Sequence, residues 1–189
     1  MNKIDKTYNL LERISTLFRS EIRLAGIQHG LHPVHIEVLS YLSRCNRLSN
    51  TPASVSEYLG VTKGTISQSI SLLESKELLE KVADEKDRRV VHLNLTDKGK
   101  QLIENSMPPT SFRSPLEKFS EDEVDNLHRL LDTLLNGIQK CNKRAGFSHC
   151  KTCVFNSPKS PSEFYCELTK EELPWEDGYL ICREHAMCK

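Results

Sequence analysis

The chain has 189 residues, with 26 lysines and arginines balanced by 26 aspartates and glutamates. That length suits one well-packed domain with an appendage, not two large domains, and the even charge excludes a bulk polycation, so any charge that meets nucleic acid has to be local. No stretch approaches the roughly 18 consecutive apolar residues of a membrane span, and the first residues lead into an amphipathic pattern instead of a signal-peptide core, so a cytoplasmic protein with no membrane partner is expected.

Ile4, Tyr8, Leu11, Ile14, Phe18 and Ile22 recur at three- and four-residue intervals and predict one apolar stripe on a long helix ending near Gly30. His32-Pro33 opens a second helix, with Val34, Val38 and Leu42 on one face, that stops near Arg44. Asn46 to Pro52 has the composition of a loop. Ala53 to Leu59 reads as a short helix closed by Gly60, and Thr62 caps the next. In that helix Ile66, Ile70 and Leu73 share an inner face, which leaves Lys63, Thr65, Gln68 and Ser69 on or near the outer one.

Leu79 to Val82 and Val90 to Leu95 suit two strands, the second with Val91, Leu93 and Leu95 inward and Val90, His92 and Asn94 outward. The charged segment Ala83 to Arg89 joins them as a protruding hairpin tip. Thr96 caps a helix running to about Met107, where Pro108-Pro109 ends it. Ser120 and Glu123 form a capping box, followed by Val124, Leu127, Leu131, Leu134 and Ile138 at coiled-coil-like spacing. Such a stripe serves an intramolecular core by default. Because the first helix carries one too, more than the small central domain can cover, homodimerisation is the favoured reading.

Helix, glycine-containing turn, polar-faced helix and basic-tipped hairpin is the order of a winged helix-turn-helix, mainly α with a small β-hairpin wing and flanked by dimerisation helices. The polar helix would enter a major groove about 12 Å wide, while Lys86, Arg88 and Arg89 reach phosphates or a minor groove. The alternative for the tip is that Asp84, Glu85 and Asp87 hold these cations in local ion pairs. A protein-interaction module is the competing role for the fold.

Thr62 to Glu74 and Asp84 to Gly99 resemble the recognition helix and wing of the MarR family, and a looser similarity runs from about residue 5 to 140. The resemblance implies a DNA-binding regulator, usually a repressor, that places two lobes in successive major grooves of a roughly palindromic operator, with a small-molecule pocket between dimer helices and DNA lobe. Together with Thr62, Gly64 and Ser67, the candidate DNA-contacting residues are Lys63, Thr65, Gln68, Ser69, Lys86, Arg88 and Arg89. The family usually has a basic residue where this chain has Gln68, often arginine at Lys86 and glycine at Glu77. Gln68 can pair bidentately with adenine, which points to A·T readout.

Of seven cysteines, Cys45 stands alone and six crowd the last quarter. In a reducing compartment that pattern points to metal or redox chemistry before disulfides. Cys150-Lys151-Thr152-Cys153 directs two thiolates at one metal, and Cys166, Cys182 and Cys188 are the further candidate ligands, with His149 and His185 nearby. Zn2+ and a [4Fe-4S] cluster both take four cysteines, and spacing does not choose between them; a metal-free thiol switch is the third reading. Cys45 and Cys141 read as small buried hydrophobes. His29, His32 and His35 flank a helix junction, where they would bind a metal or line a ligand cleft. No phosphate loop, nucleophile elbow or His-Glu-x-x-His occurs, so no enzyme is expected. The predicted organisation is a dimerisation helix over 1–30, the DNA-binding domain over 31–107, a second dimerisation region over 108–145 and a metal-binding tail over 146–189.

Overall fold

The structure is a computed structural model that describes residues 2–142, 146–160 and 163–186. Helix α1 (Lys3–Ile27) starts at a capping box in which the Asn2 side chain accepts the Asp5 N–H and the Asp5 carboxylate accepts that of Asn2. Gly26 permits its junction with the next helix, because a Cβ there would lie 2.5 Å from the Leu31 carbonyl oxygen. Helix α2 (Pro33–Leu42) is the buried axis of the lobe, with Ile36, Val38, Leu39 and Tyr41 at 0% exposure. Around it pack α3 (Pro52–Leu59), α4 (Lys63–Ser75), the hairpin β1 (Leu79–Ala83) and β2 (Val91–Leu95), and α5 (Asp97–Ser106). The strands pair antiparallel from Leu79 opposite Leu95 to Ala83 opposite Val91.

A short helix α6 (Thr110–Leu116), which the sequence reading did not anticipate, precedes α7 (Glu121–Cys141). The expected capping box between Ser120 and Glu123 is present at the start of α7. No α7 residue is buried, and Leu131, Leu134 and Ile138 are 42%, 41% and 49% exposed. The α1 stripe is open at its start, at Ile4, Tyr8 and Ile14, whereas Phe18 meets Phe112 edge-on and Ile22 packs on the core.

The tail is more ordered than a loop-rich segment. Strands β4 (Asn156–Ser160), β5 (Glu163–Cys166) and β6 (Glu171–Pro174) form an antiparallel meander, and β3 (Ser148–His149) pairs with β7 (Ile181–Cys182). Phe147 and Ile181 complete the core of the lobe built around α2, where Phe147 stands edge-on to Tyr58 and Tyr41. Backbone bonds from Ile181 N–H to the Arg44 carbonyl (2.7 Å) and from Asn46 N–H to the Ile181 carbonyl (3.0 Å) fasten the tail to the α2–α3 loop. No described helix is long and apolar enough to cross a membrane.

Candidate DNA-binding surface and cysteine site

Helix α4 begins at Thr62, whose hydroxyl accepts the Thr65 N–H at 3.2 Å. Ile66, Ile70 and Leu73 are buried as their spacing requires, while Thr62, Lys63, Gly64, Thr65, Ser67 and Gln68 are exposed. Ser69 is the exception. It is 2% exposed, and its hydroxyl donates to the Thr65 carbonyl at 2.9 Å. Three residues beyond Ile66 and next to Ile70, it belongs to the packed face, where only a small side chain that returns its proton to its own helix fits. Ser69 is therefore removed from the groove-reading set.

The wing is pinned at its base by a polar chain. Asn50 in the α2–α3 loop holds His92 Nδ1 at 2.6 Å and donates to Asn94 at 3.0 Å, and His92 Nε2 lies 3.1 Å from the Asp84 carboxylate. His92 and Asn94 are consequently half-buried instead of facing outward freely. Asp84 Oδ1 accepts the backbone N–H of Asp87 (2.7 Å) and Lys86 (2.8 Å), which fixes the tip. These bonds, the Asp87 N–H foremost, hold the Asp84 carboxyl below the usual carboxylate range.

The charged tip holds both ion pairs and an exposed cation. Arg89 lays its Nε and Nη2 on the Asp87 carboxylate at 3.0 and 3.2 Å, a local ion pair. Arg88 is exposed. The Lys86 ammonium, 85% exposed, lies 3.2 Å from Glu171 of the tail.

In the tail Cys150, Cys153, Cys166 and Cys182 line one narrow apolar cavity with Leu48, Phe155, Leu168 and Leu173. A 3-10 turn over Cys150–Thr152 turns the Cys-x-x-Cys pair into it, β5 brings Cys166 and β7 brings Cys182. Asn46 Nδ2 donates to Cys150 Sγ at 3.2 Å, and the Ala186 N–H donates to Cys153 Sγ at 3.4 Å. Cys150 and Cys182 titrate as a pair, the interaction with Cys150 holding Cys182 below the usual thiol range and the interaction with Cys182, with burial, pushing Cys150 up. All six described cysteines are free of disulfides.

Four thiols on one cavity are the donor type that a thiolate-bound metal takes. Amide and backbone N–H groups point at the sulfurs of Cys150 and Cys153, and Asn156 Oδ1 and Thr169 Oγ1 at the cavity wall are buried without a hydrogen-bond partner. The thiols ring a cavity instead of meeting at a point: among the described residues no group of three or more His, Cys, Asp or Glu side chains is placed to hold a metal ion as they stand.

Of the other residues flagged in the sequence, Cys188 lies outside the described residues. His185 is buried with Nε2 on the Thr152 hydroxyl at 2.9 Å. Cys45 is buried as expected, but Cys141 is exposed, because α7 rests on too little of this chain to cover it. His35 Nδ1 accepts the His32 N–H at 3.0 Å, so that pair caps α2. Sequence reasoning passed over Asn46, Asn50 and Glu171, whose types alone carry no signal beyond loop and surface.

Comparison with known proteins agrees with this geometry. Residues 31–99 match the family described as "Winged helix DNA-binding domain". The HTH-type transcriptional regulator MhqR of Bacillus subtilis is 29% identical over 119 residues, covering 61% of this chain and 81% of that protein. A MarR family protein from Bacillus stearothermophilus shares the fold with a TM-score of 0.58 at 22% identity, over 74% of this chain and 99% of its own. The S. aureus MepR-DNA complex shares it with a TM-score of 0.54 at 23% identity, over 69% and 96%. With an exposed polar helix and a fixed wing, residues 31–99 form a winged helix that matches a DNA-binding family, in a fold that the chain shares with a MarR family protein.

Proposed function

We propose that the protein acts as a homodimer on a roughly palindromic operator, as a repressor, and that its cysteine site binds zinc or an iron-sulfur cluster and reports metal or redox state. The observation that carries the dimer is the pair of long helices, α1 and α7, whose apolar stripes lie open in one chain. Two copies joined on those faces would present two α4 helices, which a duplex accepts when they are spaced by about one helical turn, 34–36 Å. Thr62, Lys63, Gly64, Thr65, Ser67 and Gln68 meet base edges and phosphates in the major groove, and Lys86, Arg88 and Arg89 meet the backbone beside it.

A cleft of about 1040 Å³ lies between α1, α2, β2 and α5, with Phe18, Ile22, Leu42, Ile103, Met107 and Phe112 among its walls. It suits an apolar effector of drug-like size. Cys150, Cys153, Cys166 and Cys182 would hold the metal. Zinc would supply a structural staple, and a cluster would add redox chemistry.

The test is anaerobic purification with metal and sulfide analysis, footprinting on the neighbouring promoter, and repetition after oxidation or chelation. Protection of two half-sites a helical turn apart is expected. A single unpaired footprint, or no protection, would refute the operator reading; protein free of both zinc and iron would refute the metal site.

A further inference from the structure

The tail is acidic and lies against the DNA-binding lobe. Between residues 146 and 186 seven carboxylates face four lysines and arginines. One of them, Glu171, joins three parts of the molecule. Its Oε1 is 3.2 Å from Lys86 Nζ at the wing tip, and its Oε2 is 3.1 Å from Arg47 Nη2 in the α2–α3 loop, paired by charge without hydrogen-bond alignment. Burial raises the Asp177 carboxyl against the opposing pull of Arg47 nearby. The Glu171 side chain is 23% exposed, against 85% for that of Lys86, so the carboxylate is the packed partner and the lysine the one open to solvent.

Glu171 is also tied to the cysteine site. It stands opposite Cys166 in the β5–β6 register, and the turn between them is closed by the Lys170 N–H on the Cys166 carbonyl at 2.8 Å, with Lys170 in the left-handed region at φ 59°. Cys166, Leu168 and Thr169, three of the six residues from Cys166 to Glu171, line the cavity. A group bound by Cys166 therefore fixes the turn that carries Glu171.

We propose that Glu171 is an internal competitor of DNA phosphate for Lys86, and that the cysteine site controls this competition through the Cys166–Glu171 turn. The second half of the proposal rests on the metal-site reading above. With the site loaded, the turn is rigid, Glu171 retains Lys86 and the wing has one fewer cation for the backbone. With the site emptied, the turn loosens, and Lys86 is released to phosphate.

The test measures binding of the full chain to a fluorescein-labelled mixed-sequence duplex by anisotropy across a salt series, since a phosphate contact carries no sequence information. Wild type, Glu171→Gln, Lys86→Ala and the double variant are compared. Glu171→Gln is expected to tighten binding roughly 2- to 5-fold per wing and to steepen the log–log salt dependence by about 0.9 per wing. In the Lys86→Ala background the same change should do neither. An equal effect of Glu171→Gln with and without Lys86 would show a general loss of negative charge and overturn the competition, as would an unchanged salt slope.

Chelation of metal-loaded wild type should reproduce the Glu171→Gln effect and add nothing to that variant. If chelation shifts both proteins alike, the control through the turn is wrong. If purified protein holds no metal, the metal-site reading fails, while the four-variant comparison still decides the competition.

Discussion

The proposed dimer can be tested at one side chain. Leu134 of α7 is 41% exposed in the single chain, as are its stripe neighbours Leu131 and Ile138 to similar extents. Complete burial of a leucine stabilises by about 1.5–3 kcal/mol, so covering two-fifths of one contributes about 0.6–1.2 kcal/mol. In a two-fold interface the residue occurs twice, which raises the figure to about 1.2–2.4 kcal/mol. Leu134→Ala should therefore weaken dimerisation about 7- to 50-fold. Sedimentation equilibrium over a concentration series reads this directly. Far-UV circular dichroism and the melting temperature at high concentration check that the helix survives. A dimer constant unchanged by Leu134→Ala, and by the same change at Leu131, would mean that this stripe packs elsewhere, and the proposed interface would fall.

Three further outcomes follow from single residues. Gln68→Ala should reduce discrimination at one A·T position by about 1–3 kcal/mol while leaving binding to mixed-sequence DNA nearly unchanged; equal weakening on all sequences would assign Gln68 to the backbone. Glu77 ends α4 at φ 59°, in the left-handed region that costs a side chain about 1–2 kcal/mol. Glu77→Gly exchanges that strain for a smaller entropic cost and should stabilise the fold by about 0.5–1 kcal/mol in urea titration. A loss of stability would show the Lys98 ion pair, 3.5 Å from Glu77, to matter more than the backbone. For His35, burial first, then the charges of His32 and Lys76, lower the imidazole pKa. The unfolded histidine takes up a proton near pH 6.5 and the folded one only below that, so its contribution to stability is complete above about 6.5 and declines as pH falls through the window beneath. The stability difference between wild type and His35→Gln should shrink across that window, and a difference flat from about pH 8 to pH 5 would refute the assignment.

How much the sequence revealed depended on what kind of side chain filled the interior. In the DNA-binding lobe aliphatic spacing predicted α2 to α5 and the hairpin to within a few residues, because Ile36, Ile66, Ile70, Leu73 and Leu93 are buried at the periods their elements impose. Helix α6 was hidden by Pro115 inside it and by Pro108-Pro109 before it. The tail strands were hidden differently. Their core is Cys150, Phe164, Leu173 and Cys182, so cysteines occupy positions where alternation of aliphatics would have signalled strands, and β4 is an edge strand that tolerates Pro158. That four tail cysteines share one cavity is in keeping with their spacing, but the docking of the tail had no signal in the sequence. Ser69 was misplaced for a simpler reason: a small polar residue on a helix looks exposed unless its hydroxyl is seen returning to the carbonyl one turn back.

The α2–α3 loop explains why the tail belongs to the DNA-binding lobe and is not a separate appendage. Asn46 is fully buried, with its backbone N–H on the Ile181 carbonyl and its amide on Cys150 Sγ. Four residues later Asn50 holds His92 and Asn94, and its carbonyl accepts the Leu93 N–H at 2.8 Å, so the base of the wing hangs on the same short segment. Arg44, Cys45, Asn46, Arg47 and Asn50 also wall the large cleft. One stretch of backbone thus touches the cysteine site, the wing and the cleft. Any change that moves it has to be accommodated by all three, because Asn46, whose buried Oδ1 already lacks a partner, cannot also lose the Nδ2 bond to Cys150 without the cost of a further unsatisfied polar group, about 1–3 kcal/mol. Adjacency of this kind is a route for coupling and not a measure of it; the energy is what the comparison of Glu171 and Lys86 variants, with and without metal, determines.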